Sequence, residues 1–160
     1  MKLLVAAIGQ LKAGPEQDLA QDYETRISGL GRKAGFTGLE VRDWGESRAA
    51  TAPLRMAEEA KILWSAVPQG TPALVFDERG EALSSAAFAK LLEREAQSGA
   101  RQLSFLIGGA DGHAPETRSK ALKLLSFGAM TWPHRLARVM LLEQIYRAVT
   151  ILVNHPYHRA

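Results

Sequence analysis

The chain has 160 residues, 46% hydrophobic and 23% charged, ordinary values for a folded globular protein and far from those of a disordered one. Its 20 Lys and Arg against 17 Asp and Glu leave a formal charge of +3, which permits a nucleic-acid partner if the basic groups cluster but does not require one. Cysteine is absent, which excludes disulfides, zinc thiolate sites and thiol catalysis.

A chain of this length predicts one domain, residues 1–160, with a core of its own. No apolar run is long enough to cross a bilayer. The first residues show no signal-peptide cleavage pattern. A cytoplasmic protein with no membrane partner is expected.

Lys2-Leu-Leu-Val-Ala-Ala-Ile8, ended by Gly9, is a continuous apolar run suited to a strand buried on both faces. Pro15 to Ile27 reads as a helix, with Glu16 and Asp18 early and Leu19, Tyr23 and Ile27 at helical spacing. Gly29, Gly31 and Gly35 break it up. Leu39 to Arg42 is a weak strand, Gly45 to Ala52 a loop, and Pro53 opens a helix to about Val67. Ala73-Leu-Val-Phe76 is a second buried strand, and Arg79-Gly80 predicts a turn. Ser84 or Ser85 caps a helix from about Ala86 to Gln97, stopped by Gly99. Leu103 to Ile107 is a third buried strand that runs into Gly108-Gly-Ala-Asp-Gly112. A short helix from Pro115 to about Leu122 and a short strand from Leu124 to Phe127 follow. A long helix begins after Pro133. Strands alternating with helices predict an α/β fold, a parallel sheet with helices on both faces.

Three segments carry candidate chemistry. Gly108-Gly109-x-x-Gly112 follows a strand, where ligands of open α/β sheets bind, and glycines there let a ligand approach the backbone. The same spacing fits a tight turn. It is neither a dinucleotide fingerprint nor a P-loop. Phe127-Gly-Ala-Met-Thr-Trp132 is a small-residue, apolar loop able to form a slot for a flat ligand or a buried turn. The terminus His155-Pro-Tyr157-His158-Arg159 holds groups that stack, carry protons and bind phosphate. His134 after Pro133 fits a base or a hydrogen-bonded turn. The four His are too scattered for metal-ligand spacing, so no metal is expected. The last helix is apolar almost all round, which predicts a subunit interface. Its Glu143 and Arg147 stand at i, i+4 in the order that favours an ion pair.

Leu106-Ile-Gly-Gly-Ala-Asp-Gly112, Met130-Thr-Trp-Pro-His134, Arg138-Val-Met-Leu-Leu-Glu-Gln-Ile-Tyr-Arg-Ala148 and Asn154-His-Pro-Tyr-His-Arg159 together resemble the RlmH (YbeA-like) family. These are SPOUT-superfamily methyltransferases of large-subunit ribosomal RNA. The resemblance spans the chain and is strongest from Leu103 to Arg159. It implies a SPOUT-type parallel sheet with a C-terminal trefoil knot, and a homodimer. It implies S-adenosylmethionine as cofactor, at Phe76, Gly108 and the loop Phe127, Gly128, Ala129, Met130, Thr131 and Trp132. The implied reaction is methylation of N3 of a pseudouridine in 23S rRNA on the assembled ribosome. For the chemistry, His158 is the nominated base, Arg159 the anion stabiliser and Tyr157 a stacking or positioning group, with Arg138 a further candidate. Two rival readings are a SPOUT enzyme acting on another RNA such as tRNA, and a non-catalytic ribosome-binding factor. The chain departs from the family pattern at Ala110-Asp111, Trp132 and Arg135, and Trp132 bears on how an adenine would pack.

Overall fold

Every residue of β1 (Lys2–Ile8) after Lys2 is apolar and buried. Leu3, Val5 and Ala7 join one core cluster, while Leu4, Ala6 and Ile8 join another on the opposite face. That two-sided burial is why the run is continuous rather than alternating. The structure, a computed structural model, describes residues 1–159. β1 pairs with β2 (Gly38–Trp44) on one side and β4 (Gln102–Ile107) on the other. β3 (Ala73–Glu81) and β5 (Lys123–Leu125) complete a parallel sheet of order β2-β1-β4-β3-β5.

Helices cover both faces, as the alternation predicts. α1 (Pro15–Leu30), α3 (Ser85–Gln97) and α5 (His134–Leu152) pack on the Leu3/Val5/Ala7 face. α2 (Ala52–Ser65) packs on the other face. It meets α4 (Pro115–Lys120) through a bond from Trp64 Nε1 to Thr117 Oγ1 at 3.2 Å. The boundaries follow local chemistry. Thr51 and Ser84 cap α2 and α3 by accepting from Leu54 and Ala87 backbone N–H groups.

Three expectations change. α1 continues through Gly29 to Leu30, because the backbone stays helical to Gly31, whose N–H still bonds to Ile27. Arg79-Gly80 is not a turn but part of β3, which runs to Glu81 with a register shift against β5. The physical reason is contact: a Cβ on Gly80 would lie 2.4 Å from the Leu125 carbonyl carbon, so glycine lets β3 and β5 touch. The last strand is correspondingly shorter, ending at Leu125, and Ser126 N bonds back to Glu81 O at 3.0 Å.

α5 is covered in part by its own chain. α5 lies against α1 and α3, which bury Leu141, Leu142, Ile145, Ala148 and Val149 within one chain. Leu136 remains exposed and Met140, Ile151 and Leu152 half-buried.

Candidate active site

The carboxyl ends of β3, β4 and β5 open into a cleft of about 370 Å³. Phe76, Gly108 and all of Phe127 to Trp132 line it, so the residues assigned to the cofactor share one wall. Gly108 and the loop 127–132 follow the ends of β4 and β5, and Phe76 lies within β3 where its pairing with β4 stops. Phe76 closes the regular pairing of β3 with β4 and stacks on Phe127, ring centroids 4.7 Å apart and planes 20° apart. Beyond β5, Ser126 Oγ accepts from Gly128 N at 3.1 Å, and Gly128 turns with φ +107°. Met130 and Trp132 are exposed on the rim.

β4 enters the glycine loop directly. Gly112 N donates to Gly109 O at 3.0 Å, closing the loop into a narrow hairpin. Polar side chains from three elements hold it. Arg118 of α4 donates to His113 O at 2.5 Å and reaches Asp77 beyond Phe76 at 3.4 Å, which ties the loop to β3. Arg55 of α2 forks onto Asp111 at 2.6 and 3.1 Å. That pair holds the Arg55 guanidinium above its usual range and the Asp111 carboxyl below its own. His113 is buried under Gly108, and burial pushes its imidazole pKa down. Glu59 of α2 is buried under Gly109.

His134 also lines the cleft, at the start of α5. Its ring lies over Gly9, where a Cβ would come within 2.8 Å of Nε2. Glu46 Oε1 stands 3.8 Å from the same nitrogen.

The four residues nominated for chemistry do not join this cleft within one chain. Arg138 is 2% exposed. Its guanidinium bonds to Asp43 Oδ2 at 2.5 Å and to the Gly9 carbonyl, so it ties α5 to the ends of β1 and β2. Arg138, the further candidate for the chemistry, is thus a buried tie within its own chain. The terminus folds back onto α5. Tyr157 donates to Glu143 Oε1 at 3.0 Å, its ring packs edge-on against Tyr146, and the Arg147 guanidinium lies 4.9 Å from the ring centre. Burial, followed by hydrogen bonds to Tyr23 and Glu143, holds the phenol protonated well above its ordinary value. His158 Nδ1 lies 3.4 Å from Arg147 Nη1, and Arg159 is exposed. The expected Glu143–Arg147 pair is present at 2.5 Å. Glu143 in turn lines a second cavity of about 450 Å³, which shares Phe76 and Phe127 with the cleft. Among the described residues, no group of three or more His, Asp or Glu is placed to hold a metal ion.

Sequence reasoning missed Asp77, Arg118, Arg55 and Glu59. Arg55 and Glu59 stand at i, i+4 on α2. Their one available signal is position: Glu59 precedes the buried Ala60 and Leu63 on the inward side of the helix.

A family model described as predicted SPOUT methyltransferase matches residues 1–158. Ribosomal RNA large subunit methyltransferase H of Rhodopseudomonas palustris (strain ATCC BAA-98 / CGA009) is 55% identical over 160 residues, covering 100% of both chains. The protein of that name from Bradyrhizobium sp. (strain ORS 278) is 51% identical, covering 100% of this chain and 99% of its own. Among solved structures, the SpoU methyltransferase AviRb of Streptomyces viridochromogenes in complex with AdoMet aligns with TM-score 0.41 and 11% identity, over 96% of this chain and 61% of that one.

Proposed function

The chain belongs to the SPOUT methyltransferase family and, within it, to the RlmH group of ribosomal RNA large subunit methyltransferases, and from that premise we propose that it methylates N3 of a pseudouridine in 23S rRNA on the assembled ribosome. The observation that carries the reading is the convergence of Phe76, Gly108 and the loop 127–132 on one cleft at the carboxyl edge of the sheet.

S-adenosylmethionine is the cofactor of this family, and the cleft residues fit it. The stacked Phe76–Phe127 pair and the small Gly128-Ala129 segment suit a flat adenine. Gly108 and Gly109 offer backbone groups without side chains in the way. Bound there, the cofactor supplies an electrophilic methyl group, so the chain need form no covalent intermediate.

What the chain must do is align the base and accept its N3 proton. We assign the proton to His158, the resulting anion or a phosphate to Arg159, and positioning to Tyr157. Since these groups lie on α5 outside the cleft of their own chain, the proposal includes a homodimer in which the terminus of a second copy completes the site. It also includes the family's trefoil knot near the C-terminus and a cytoplasmic location, where ribosomes are. With a charge of only +3, recognition should draw on the ribosomal surface, and naked rRNA should be a poor substrate.

The test is transfer of labelled methyl from S-adenosylmethionine to ribosomes lacking the modification, with mass spectrometry of the nucleosides. N3-methylpseudouridine in 23S rRNA is the expected product. Transfer to tRNA instead would move the enzyme to another RNA. Absence of both transfer and cofactor binding would favour a non-catalytic ribosome-binding factor.

A further inference from the structure

Glu59 is 4% exposed, yet it belongs to no expected motif. Its Oε1 accepts from Ser47 N at 3.0 Å, in the loop between β2 and α2. Its Oε2 is buried and, among the described residues, has no hydrogen-bond partner. Both oxygens face the glycine loop: a Cβ on Gly109 would lie 2.9 Å from Oε2 and 3.2 Å from Oε1, with Ile8 of β1 at 3.1 Å. One helical turn earlier, Arg55 grips Asp111 two residues further along that loop. α2 therefore meets the loop twice, by an ion pair at the rim and by a carboxyl group beneath.

We infer that Glu59 is a positioning residue for the cleft: its carboxyl fills the space under Gly109 and, with the Arg55–Asp111 pair, sets where the glycine loop presents its backbone to the cofactor. The inference rests on the reading that the cleft binds S-adenosylmethionine.

The orphaned oxygen makes this seat proton-dependent. A buried carboxylate with one unpartnered oxygen costs more than the neutral acid in the same place, because the charge as well as the lone pairs goes unsolvated. Burial raises the Glu59 pKa, and the negative charges of Glu46 in the β2–α2 loop and Asp111 in the glycine loop raise it further. The Ser47 N–H and the Arg55 charge oppose them. β1 contributes only Ile8. His134 stands beyond Glu46, 3.8 Å from it. The sign follows. Protonated Glu59 seats the loop; as pH rises through its elevated pKa, a charge forms between Glu46 and Asp111 and the loop is pushed from its seat. Cofactor affinity then falls with rising pH.

The experiment compares the full-length wild type with Glu59→Gln, which keeps shape and removes the titration. Binding of S-adenosylhomocysteine is measured by calorimetry from pH 5.5 to 8.5. In the ligand-free proteins, the amide shifts of Gly108 to Gly112 are followed by NMR over the same range. The expected result is a loop titration in the wild type that is absent in Glu59→Gln. From the acid to the alkaline end of the range, affinity should fall about five- to tenfold further in the wild type than in Glu59→Gln, the low end of coupling between linked sites. Identical loop titrations and parallel affinity profiles in the two proteins would overturn the inference. A wild type that binds no cofactor at any pH defeats the functional reading instead, and the loop titration still judges Glu59. Should Glu59→Gln melt early, Glu59→Met, similar in length and uncharged, repeats the comparison.

Discussion

The Tyr157 hydroxyl donates to Glu143 Oε1 at 3.0 Å, and that same oxygen takes two donors from Arg147, at 2.9 and 2.5 Å. One carboxylate oxygen thus anchors the C-terminal segment to α5, with the Arg147 charge packed over the Tyr157 ring. Tyr157→Phe keeps the ring and removes the bond to Glu143. Stability should fall by about 1 kcal/mol, the net worth of one such bond. The amides of His155 to His158 should exchange faster with solvent. Unchanged exchange would mean that ring packing alone holds the segment.

His158→Ala tests the chemistry assigned to that segment. Turnover should drop by about 10²-fold or more, the usual contribution of a general base. Affinity for S-adenosylhomocysteine should stay as in wild type, since His158 is assigned to the proton of the base and not to the cofactor. Unchanged turnover would remove it from the mechanism.

Arg138 is buried against Asp43 and the Gly9 carbonyl. Arg138→Ala removes the side-chain donor to the Gly9 carbonyl and leaves Asp43 Oδ2 with the Leu11 N–H at 3.4 Å. A loss of about 3 kcal/mol is expected in urea denaturation, the low end for breaking a buried pair because Asp43 is partly exposed. Full stability with lost methylation would instead return Arg138 to the catalytic set.

Gly80→Ala should be among the most damaging small changes in the chain. The new methyl would meet the Leu125 backbone, which has no rotamer to escape into. About 2–3 kcal/mol of destabilisation is expected from the forced separation of β3 and β5. Since β5 leads straight into Phe127, cofactor affinity should fall as well. Wild-type affinity in this variant would show that the loop holds its place without β5.

Acid sensitivity should arise at His113. The folded chain holds its imidazole pKa below the ordinary 6.5, chiefly by burial. The unfolded chain therefore binds a proton that the native one resists, so this contribution is present above about pH 6.5 and is lost as pH falls below it. His113→Gln should flatten the drop in urea midpoint between pH 7.5 and pH 5.5. An equal drop in both proteins would place the acid-sensitive group elsewhere.

The elements legible in the sequence are those whose burial is written locally. Lys2–Ile8 has the predicted strand bounds because seven consecutive residues state that both faces are covered. α1 starts at Pro15, and α3 and α5 start after Ser84 and Pro133, residues whose backbone chemistry acts within one turn. The loops after β4 and β5 were legible too, since glycine and small apolar residues after a strand mark a turn or a place where backbone can be reached.

What escaped depends on partners far along the chain. Arg79-Gly80 has the composition of a turn, yet the approach of Leu125 keeps it in the sheet. Arg138 finds Asp43 across 95 positions, and Arg55 finds Asp111 across 56. The sequence by itself determined the order of most strands and helices and several of their starts, because propensity, capping and hydrophobic periodicity act between neighbours. Only the tertiary structure decided that Arg138 is a strut, that the His/Tyr/Arg terminus lies on α5 rather than in its own cleft, and that Glu59 sits under Gly109, because charge pairing and close packing act between groups that only the completed sheet brings together.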